Sequence, residues 1–431
     1  MIIKTETFII IFSLLGILFF SPSLLYGQTP HSEVKPIELL PGILSPKTFF
    51  NNDSTTITTY HGLVDRGETP FNLVDGFSVW QSVTKKWIPS TTKFIEIHGS
   101  AAYDISKDEF LGRVHMLYTS DRKNYWSLNI QNLSEDFKGG VGENSILDLS
   151  AILFAQRNYK KYYRSQAAIF HWCWNPPYSR WNFASSISYS HFMPLENITD
   201  FTFFPRDNRD FDSNEPTNIQ LKASQTEEQR SIDYRGEMRY FLDDYHYRNI
   251  SLTYDYGLNT NSRDTYHKFS IHYDDGIGTS QSKLLWNVDL GTFFGTTPYH
   301  FSQYHHTYST HSDVTAYSMS REWFVSNDYG ISTMKPWIES MIAYQRKKMI
   351  LTQIPFFEHT TAYEAFYIKS YFSKEMPTQW AAGYTIHKLF QSLSFGINYH
   401  YNTDIHGVWG FYLGLPFMNN VSKKRYTTVW N

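Results

Sequence analysis

Hydrophobic and polar residues alternate along most of the chain from about Phe71 onward. The clearest run is His406–Phe417, whose alternate positions are all apolar: Trp409, Phe411, Leu413, Leu415 and Phe417. A β-strand points successive side chains to opposite faces of its sheet. The run therefore predicts a strand with one apolar face and one small or mixed face, placed close to the C-terminus.

Other segments repeat this period of two. They are Thr92–Tyr103, Tyr125–Leu133, Ser231–Leu242, Asn249–Leu258, His267–Tyr273, Trp286–Phe294 and Leu393–Tyr401. Segments of about 10 residues, tilted, match the ~25 Å apolar band of an outer membrane, whereas strands in soluble sandwiches are typically ~5–6 residues long. The pattern predicts an all-β fold, a transmembrane antiparallel β-barrel of outer-membrane type with about 14–16 strands.

The polar face of one predicted strand alternates in charge. Asp233, Arg235, Glu237 and Arg239 occupy the positions between apolar residues of Ser231–Leu242. Charges of opposite sign on neighbouring strands attract one another across a sheet. We therefore expect ion-paired ladders on the inner face of the barrel.

Composition fits this class of protein. Among 431 residues, 18% are aromatic, which suits the girdles of a barrel at the membrane interface, and the mean hydropathy of -0.42 is too polar for a helical membrane protein. The net charge of -3 gives no indication of a nucleic-acid partner. The single cysteine, Cys173, excludes an internal disulfide framework and is expected to pack as a small hydrophobic residue.

The chain divides into four expected parts. Residues 1–27 are typical of a secretory signal peptide, with Lys4 before the apolar run Phe8–Phe20 and Gly27 at the expected cleavage point. Residues 28–70 are predicted to form an N-terminal periplasmic segment, residues 71–417 the barrel and residues 418–431 a C-terminal tail. Beyond the signal, no stretch of ~18 continuous apolar residues predicts a membrane-spanning helix.

Three stretches depart from the alternation. Gly139–Phe154 begins with glycines and predicts either a turn with a short helix or an inward plug. Pro194–Thr217 is rich in Asp, Asn and Pro and predicts a long extracellular loop. Thr296–Ser318 predicts a loop or a weak strand.

Four motifs resemble an uncharacterised outer-membrane family. They lie at Arg157–Tyr163, Leu195–Pro216, Arg321–Gly330 and Gln353–Phe357. Residues that match the family's pattern are Arg157, Asn158, Tyr159, Lys160, Tyr162, Asn197, Thr199, Asp200, Phe203, Phe204, Glu322, Phe324, Val325, Ser326, Asp328, Tyr329, Ile354 and Pro355. Ile198 departs from it, and the family's Lys-Ile-Pro-Leu element appears here with Gln353 and Phe356 at its ends.

The resemblance covers roughly Phe71–Phe417. Members of the family typically join an N-terminal carboxypeptidase-regulatory-like domain to a C-terminal barrel region of unknown function. The resemblance implies a barrel-only relative without that domain, and it supplies no catalytic residues to carry over.

A histidine cluster is the first candidate for chemistry. His300, His305, His306 and His311 offer imidazole nitrogens that could bind a metal. Their spacings of five, one and five match no standard zinc pattern, and a polar, aromatic-rich loop accounts for them equally well.

Other candidates are catalytic sets and acidic ligands. His98 and Ser100 share a predicted inner face with Asp104 nearby, which could form a hydrolase relay. The carboxylate pairs Asp243/Asp244 and Asp274/Asp275 could perform acid–base chemistry, but their places at strand ends are typical of turns. The acidic run Asp207–Glu215 could hold calcium, although Arg206 and Arg209 interrupt it.

We therefore assign no catalytic, cofactor-binding or metal-binding residues. The sequence favours a non-enzymatic β-barrel in the outer membrane of a Gram-negative cell, with a role in passage, assembly or surface scaffolding. Its expected partners are outer-membrane lipid and lipopolysaccharide, and the barrel-assembly machinery during biogenesis. The alternatives are a barrel-embedded hydrolase with an active site at the rim, and a soluble secreted β-sandwich or carbohydrate-binding protein.

Overall fold

The computed structural model describes residues 47–50, 55–61, 71–72, 75–104, 107–121, 124–137, 162–195, 224, 227–242, 248–296, 298, 300–307, 309–310, 324–325, 332–355, 362–374, 376–389, 393–402 and 407–414. The first strands are β1 Lys47–Phe50, β2 Thr56–Tyr60, β3 Phe71–Asn72, β4 Gly76–Trp87, β5 Phe94–Asp104, β6 Glu109–Thr119, β7 Tyr125–Asp136, β8 Tyr162–Trp174, β9 Trp181–Pro194, β10 Gln229–Phe241, β11 Asn249–Asn259, β12 Thr265–Gly278 and β13 Ser282–Gly295. The remaining strands are β14 His305–His306, β15 Ser309–Thr310, β16 Phe324–Val325, β17 Ser332–Thr333, β18 Trp337–Arg346, β19 Tyr363–Ser373, β20 Met376–Leu389, β21 Leu393–Asn402 and β22 Val408–Gly414. Two 3-10 turns lie at Phe301–Gln303 and Leu351–Gln353.

The long strands form one antiparallel meander. β2 and β3 pair with opposite ends of β4, so together they make one interrupted strand position. From there each strand pairs with the next, and β13 pairs with β18 across the intervening connection. That interrupted position, the ten strands β4–β13 and the five strands β18–β22 give sixteen positions within the described residues, and the short strand β1 adds one more at the edge by pairing with β2.

The fold class predicted from the alternation, an all-β antiparallel barrel of outer-membrane type with about 14–16 strands, is confirmed. Most of its strands are long, from 11 residues in β5 to 14 in β13. β1 and β2 belong to the range 28–70 that was assigned to a periplasmic segment, so the sheet begins before Phe71. The hydrogen-bonded pairs of the described residues do not include one that joins β22 to β1 or β2.

The two faces of the sheet differ sharply in chemistry. Large apolar side chains stand exposed on one face, and they include Ile187, Tyr189, Ile338, Ile342, Phe366, Ile368, Phe372, Trp380 and Ile397. Side chains on the other face, such as Asp233, Glu339 and Lys369, are buried or half-buried. Exposed apolar surface costs about 25 cal/mol per Å² in water, so the outer face calls for an apolar environment.

The strand ends define two rims. At the first, which we call the short-turn rim, brief connections join the strands at residues 88–93, 120–124, 175–180, 242–248, 279–281 and 390–392. At the opposite rim, the long-loop rim, connections of very different length include residues 137–161, 195–228 and 296–336. The connection 347–362, which follows β18, is the longest at the short-turn rim. Within the described part of the chain, no helix is both long and apolar enough to cross a membrane.

Candidate functional site

Residues 300–307, which we call the lumen segment, follow β13 at the long-loop rim and pack against the inner face of the sheet. His300 is 1% exposed and Phe301 is fully buried. Tyr304 and Thr307 are buried as well. The segment therefore occupies space that would otherwise belong to the interior of the barrel.

Aromatic side chains enclose His300. The centroid of its ring lies 4.1 Å from that of Phe192, with the two planes 8° apart. Phe137 stacks at 5.0 Å, and Tyr163 approaches edge-on at 4.5 Å. This enclosure lowers the pKa of His300 to about 3, because burial removes the hydration that a charged imidazolium needs. The ring is therefore neutral and acts as a packing group.

Hydrogen bonds hold the first half of the lumen segment near β10. The backbone N–H of Phe301 donates to Ser224 Oγ at 3.0 Å. The side-chain amide of Gln303 donates to Asp233 Oδ1 at 3.1 Å, and the Tyr266 hydroxyl donates to the same oxygen at 3.2 Å. Asp233 therefore joins the segment to two strands of the wall at one point.

The second half of the segment reaches β18. The His305 ring stacks on the Trp337 indole at 4.1 Å, with the planes 13° apart. The indole N–H in turn donates to Asp289 Oδ1 at 2.7 Å. Burial, aided by the positive charge of Lys268, lowers the pKa of His305 to about 4. This histidine is also neutral in the packed state.

A buried ion pair completes this second contact. The Thr307 hydroxyl donates to Glu339 Oε2, and Glu339 Oε1 lies 2.7 Å from Lys369 Nζ. Both charged side chains are largely shielded from solvent. A buried pair is costly to break because the remaining charge is left without a partner. The lumen segment thus bridges β9 and β10 on one side to β18 and β19 on the other.

Ion pairing along the inner face confirms the expected ladder in part. Arg235 and Asp255 face each other in the register of β10 and β11, and Arg235 Nε lies 3.6 Å from Asp255 Oδ1. Glu237 instead pairs within its own strand, with Arg239 at 2.6 Å.

The predicted histidine cluster divides among different partners. His300 lies in the aromatic box, His305 stacks on Trp337, and His306 Nδ1 lies 2.8 Å from Ser332 Oγ. Across the described residues, no three His, Cys, Asp or Glu side chains are arranged to hold a metal ion. His311 lies outside those residues.

The suggested relay on β5 does not come together. His98 Nδ1 lies 2.9 Å from the Thr84 hydroxyl. Asp104 is six residues further along the same strand, which corresponds to roughly 20 Å. Ser100 shares the inner face with both, but one straight strand keeps the imidazole and the carboxylate apart.

The carboxylates of β12 serve local contacts. Asp275 accepts hydrogen bonds from Arg248 Nη2 at 3.2 Å and from the Gly276 N–H at 2.7 Å. Asp274 Oδ2 lies 2.8 Å from His272 Nε2. The candidates Asp243/Asp244, Asp207–Glu215 and Gly139–Phe154 lie outside the described residues.

The sheet and its occupied inner face define the class of this protein as an outer-membrane-type β-barrel. Residues 41–386 match the family model for the C-terminal domain of a family of unknown function (DUF5686), and the chain belongs to that family. No curated protein matches the chain.

The chain has low structural similarity to several solved structures. CdiB from Acinetobacter baumannii is 9% identical with a TM-score of 0.39; the match covers 79% of this chain and 57% of that one. BamA from Haemophilus ducreyi, lacking POTRA domains 1-3, is 9% identical with a TM-score of 0.44, over 87% of this chain and 77% of that one. A bacterial polysaccharide outer membrane secretin is 8% identical with a TM-score of 0.33, over 83% of this chain and 94% of that one. The matched part therefore spans less than two thirds of the CdiB chain.

Proposed function

We propose that the chain is a non-enzymatic barrel of the outer membrane that acts as a gated passage, closed at rest by the lumen segment. The apolar rows of the outer face would contact lipid, with lipopolysaccharide around the long-loop rim. A sheet in a bilayer must satisfy its backbone hydrogen bonds by pairing between strands. Insertion would use the barrel-assembly machinery, as for other barrels of this class.

The observation that carries this proposal is the packing of residues 300–307 between two separate parts of the wall. Barrels of 16–18 strands enclose an aqueous channel unless something fills them. Here Phe301 and His300 fill part of that space, with Thr307 fixed to Glu339.

The contacts that hold the lumen segment in place suit a movable gate better than a fixed plug. The segment is held by ring stacking and by single hydrogen bonds, and β14 pairs with β17 over only two residues. None of the pairings between the long strands of the meander needs to break for the segment to leave. Gating therefore requires no rearrangement of the sheet.

Planar-bilayer conductance of the refolded full chain tests the proposal. We expect the natural sequence to be silent at neutral pH, and a variant with residues 300–307 replaced by an eight-residue Gly/Ser linker to show stepwise currents. Electrophoresis with and without boiling verifies that both chains are folded barrels. A folded variant that stays silent would overturn the passage role and favour a scaffold, and a natural chain that is permanently open would overturn the gate.

The non-enzymatic part of the proposal has its own test. Purified folded protein is expected to show no lipase or protease activity. An activity that disappears in the variant His98→Ala would contradict this expectation and favour a barrel-embedded hydrolase.

A further inference from the structure

The connection that follows β18 at the short-turn rim folds onto the outer face of the sheet. Its residues 347–355 turn back over β19, where Glu364 accepts hydrogen bonds from the backbone N–H groups of Ile350 and Thr352, each at 2.5 Å. Glu364 belongs to the outward set of β19, because Phe366 and Ile368 at the following alternate positions are exposed. Glu364 is nevertheless fully buried, since the turn covers it.

A second contact places the turn on the same surface. Ile386 pairs with Glu364 across β19 and β20 and shares its outward face. Leu351 packs against the cluster formed by Ile386 and Ala362, and Ile386 is only 2% exposed as a result. The turn therefore lies against the side of the barrel that carries the apolar rows, at the edge of those rows.

The uncovered surface of this turn is both basic and apolar. Arg346, Lys347 and Lys348 are consecutive and exposed. Ile350 is 54% exposed and Ile354 is 44% exposed. Basic residues beside exposed aliphatic residues, at the boundary of an apolar band, form a surface suited to lipid headgroups with acyl chains beneath them.

We propose that residues 346–355 form an interfacial element that binds the anionic headgroups of phospholipids in the periplasmic leaflet. This inference rests on the proposed location in the outer membrane. The short-turn rim faces the periplasm in barrels of this class, whereas the longer loops face the exterior. The element therefore lies at the periplasmic leaflet, where the lipids are phospholipids. The lipid A of lipopolysaccharide lies in the outer leaflet, at the opposite rim. Glu364 acts as a positioning residue that holds the turn against the barrel.

Lipid binding by the folded full chain tests the proposal. The protein is titrated with phosphatidylglycerol, phosphatidylcholine or lipid A in a zwitterionic detergent, and bound lipid is counted by native mass spectrometry. Each basic residue near an anionic surface contributes about 5-fold in affinity, so we expect Lys347→Glu/Lys348→Glu to bind phosphatidylglycerol at least about 30-fold more weakly. Added salt should weaken binding by the natural chain, because it screens exposed charges.

A matched variant controls for net charge. Lys93 lies in a different turn of the same rim and Lys374 lies at the opposite rim, and both are exposed. Lys93→Glu/Lys374→Glu should leave phosphatidylglycerol binding within about 5-fold of the natural chain. Equal losses in both double variants, or binding of lipid A without binding of phosphatidylglycerol, would overturn the assignment.

The positioning role of Glu364 has a separate readout. Trypsin cleavage after Lys347 and Lys348 should be slow while the turn is held against the barrel, because a protease needs several residues on each side of the cleaved bond in an extended conformation. Glu364→Gln should speed this cleavage, while the protein remains resistant to unfolding in cold detergent. Unchanged cleavage would refute the positioning role. A silent conductance record for the linker variant, with lipid binding intact, would reject the gated passage and leave the interfacial element standing.

Discussion

The indole ring of Trp337 lies over Gly291, its partner in the register between β13 and β18. A Cβ atom added to Gly291 would lie 2.3 Å from Cζ2 of the indole. The missing side chain lets the ring lie flat enough for its N–H to reach Asp289, and the His305 ring stacks on the same buried indole. A glycine on the wall thus positions the contact that closes the second half of the lumen segment.

Replacing this glycine should loosen the lumen segment without unfolding the barrel. Gly291→Ala forces the indole to move, which overpacks the site by about 1–3 kcal/mol and disrupts the stack with His305. We expect lower stability in urea and brief channel openings at neutral pH, measured by tryptophan fluorescence and bilayer conductance. Gly99→Ala is the control, because a Cβ there meets nothing within 4 Å. Identical behaviour of the two variants would refute the role of the Gly291–Trp337 contact.

The ion pair at the far end of the lumen segment gives a second prediction. Glu339→Gln leaves the Lys369 ammonium buried without its carboxylate and weakens the acceptor for Thr307. Breaking a buried pair from one side costs about 3–5 kcal/mol, whereas removing both charges is often far less costly. We therefore expect Glu339→Gln to lower stability and open the channel, and Glu339→Gln/Lys369→Met to recover much of the stability.

A control for that variant lies on β10. Glu237→Gln removes a carboxylate from the pair with Arg239, elsewhere on the inner face. It should leave the channel silent. Openings of similar frequency in Glu237→Gln would show that any lost inner-face charge opens the barrel, which contradicts a specific latch at Glu339.

The alternation of apolar and polar residues was sufficient to predict the wall. Asn249–Leu258 was predicted as a strand, and β11 spans Asn249–Asn259. The same segment was assigned an apolar face through Ile250 and Tyr254, and both side chains are exposed on the outer face. The prediction is correct because every strand of such a sheet has one apolar outer face and one inner face. The alternation within a single strand is therefore enough to identify that strand.

The lumen segment could not be predicted in the same way. The polar and aromatic composition of Thr296–Ser318, the range that contains this segment, predicts a loop or a weak strand with a possible metal site at its histidines. The burial of residues 300–307 depends on Phe192 and Trp337, which lie far from them in sequence and carry no local signal of the contact. Glu339 and Lys369 were not singled out either, since each alternates with apolar neighbours as any inner-face residue does. The position of the lumen segment depends on packing between residues that are distant in sequence. An alternation of apolar and polar residues within one strand contains no information about such packing.

Acid should open the channel, and the direction follows from the two buried histidines. An unperturbed histidine has a pKa of about 6.5, whereas the packed His300 and His305 have pKa values of about 3 and about 4. Below pH 6.5 the released segment binds protons that the packed segment cannot. The stability of the packed state therefore falls by about 1.4 kcal/mol per pH unit below pH 6.5 for each histidine, which is about 4 kcal/mol in total at pH 5, and it changes little above pH 7.

Conductance between pH 7.5 and pH 4.5 measures this response. We expect a silent barrel at pH 7.5 and frequent openings by pH 5. His300→Phe keeps an aromatic ring in the box but removes one titrating group, so its openings should require a lower pH. A variant as acid-sensitive as the natural chain would exclude His300 as a contributor.

A disulfide lock tests whether acid acts by moving the lumen segment. His306 and Ser332 are register partners in β14 and β17, and His306 Nδ1 lies 2.8 Å from Ser332 Oγ. His306→Cys/Ser332→Cys should therefore tether the lumen segment directly to β17 when oxidised, so that acid openings vanish and return on reduction. Ser340→Cys/Ser370→Cys is the matched control, because its hydroxyl groups lie 2.7 Å apart on strands that are already paired. Acid openings that persist in the oxidised first variant would show that current flows while the lumen segment stays in place. This result would contradict the assignment of the lumen segment as the gate.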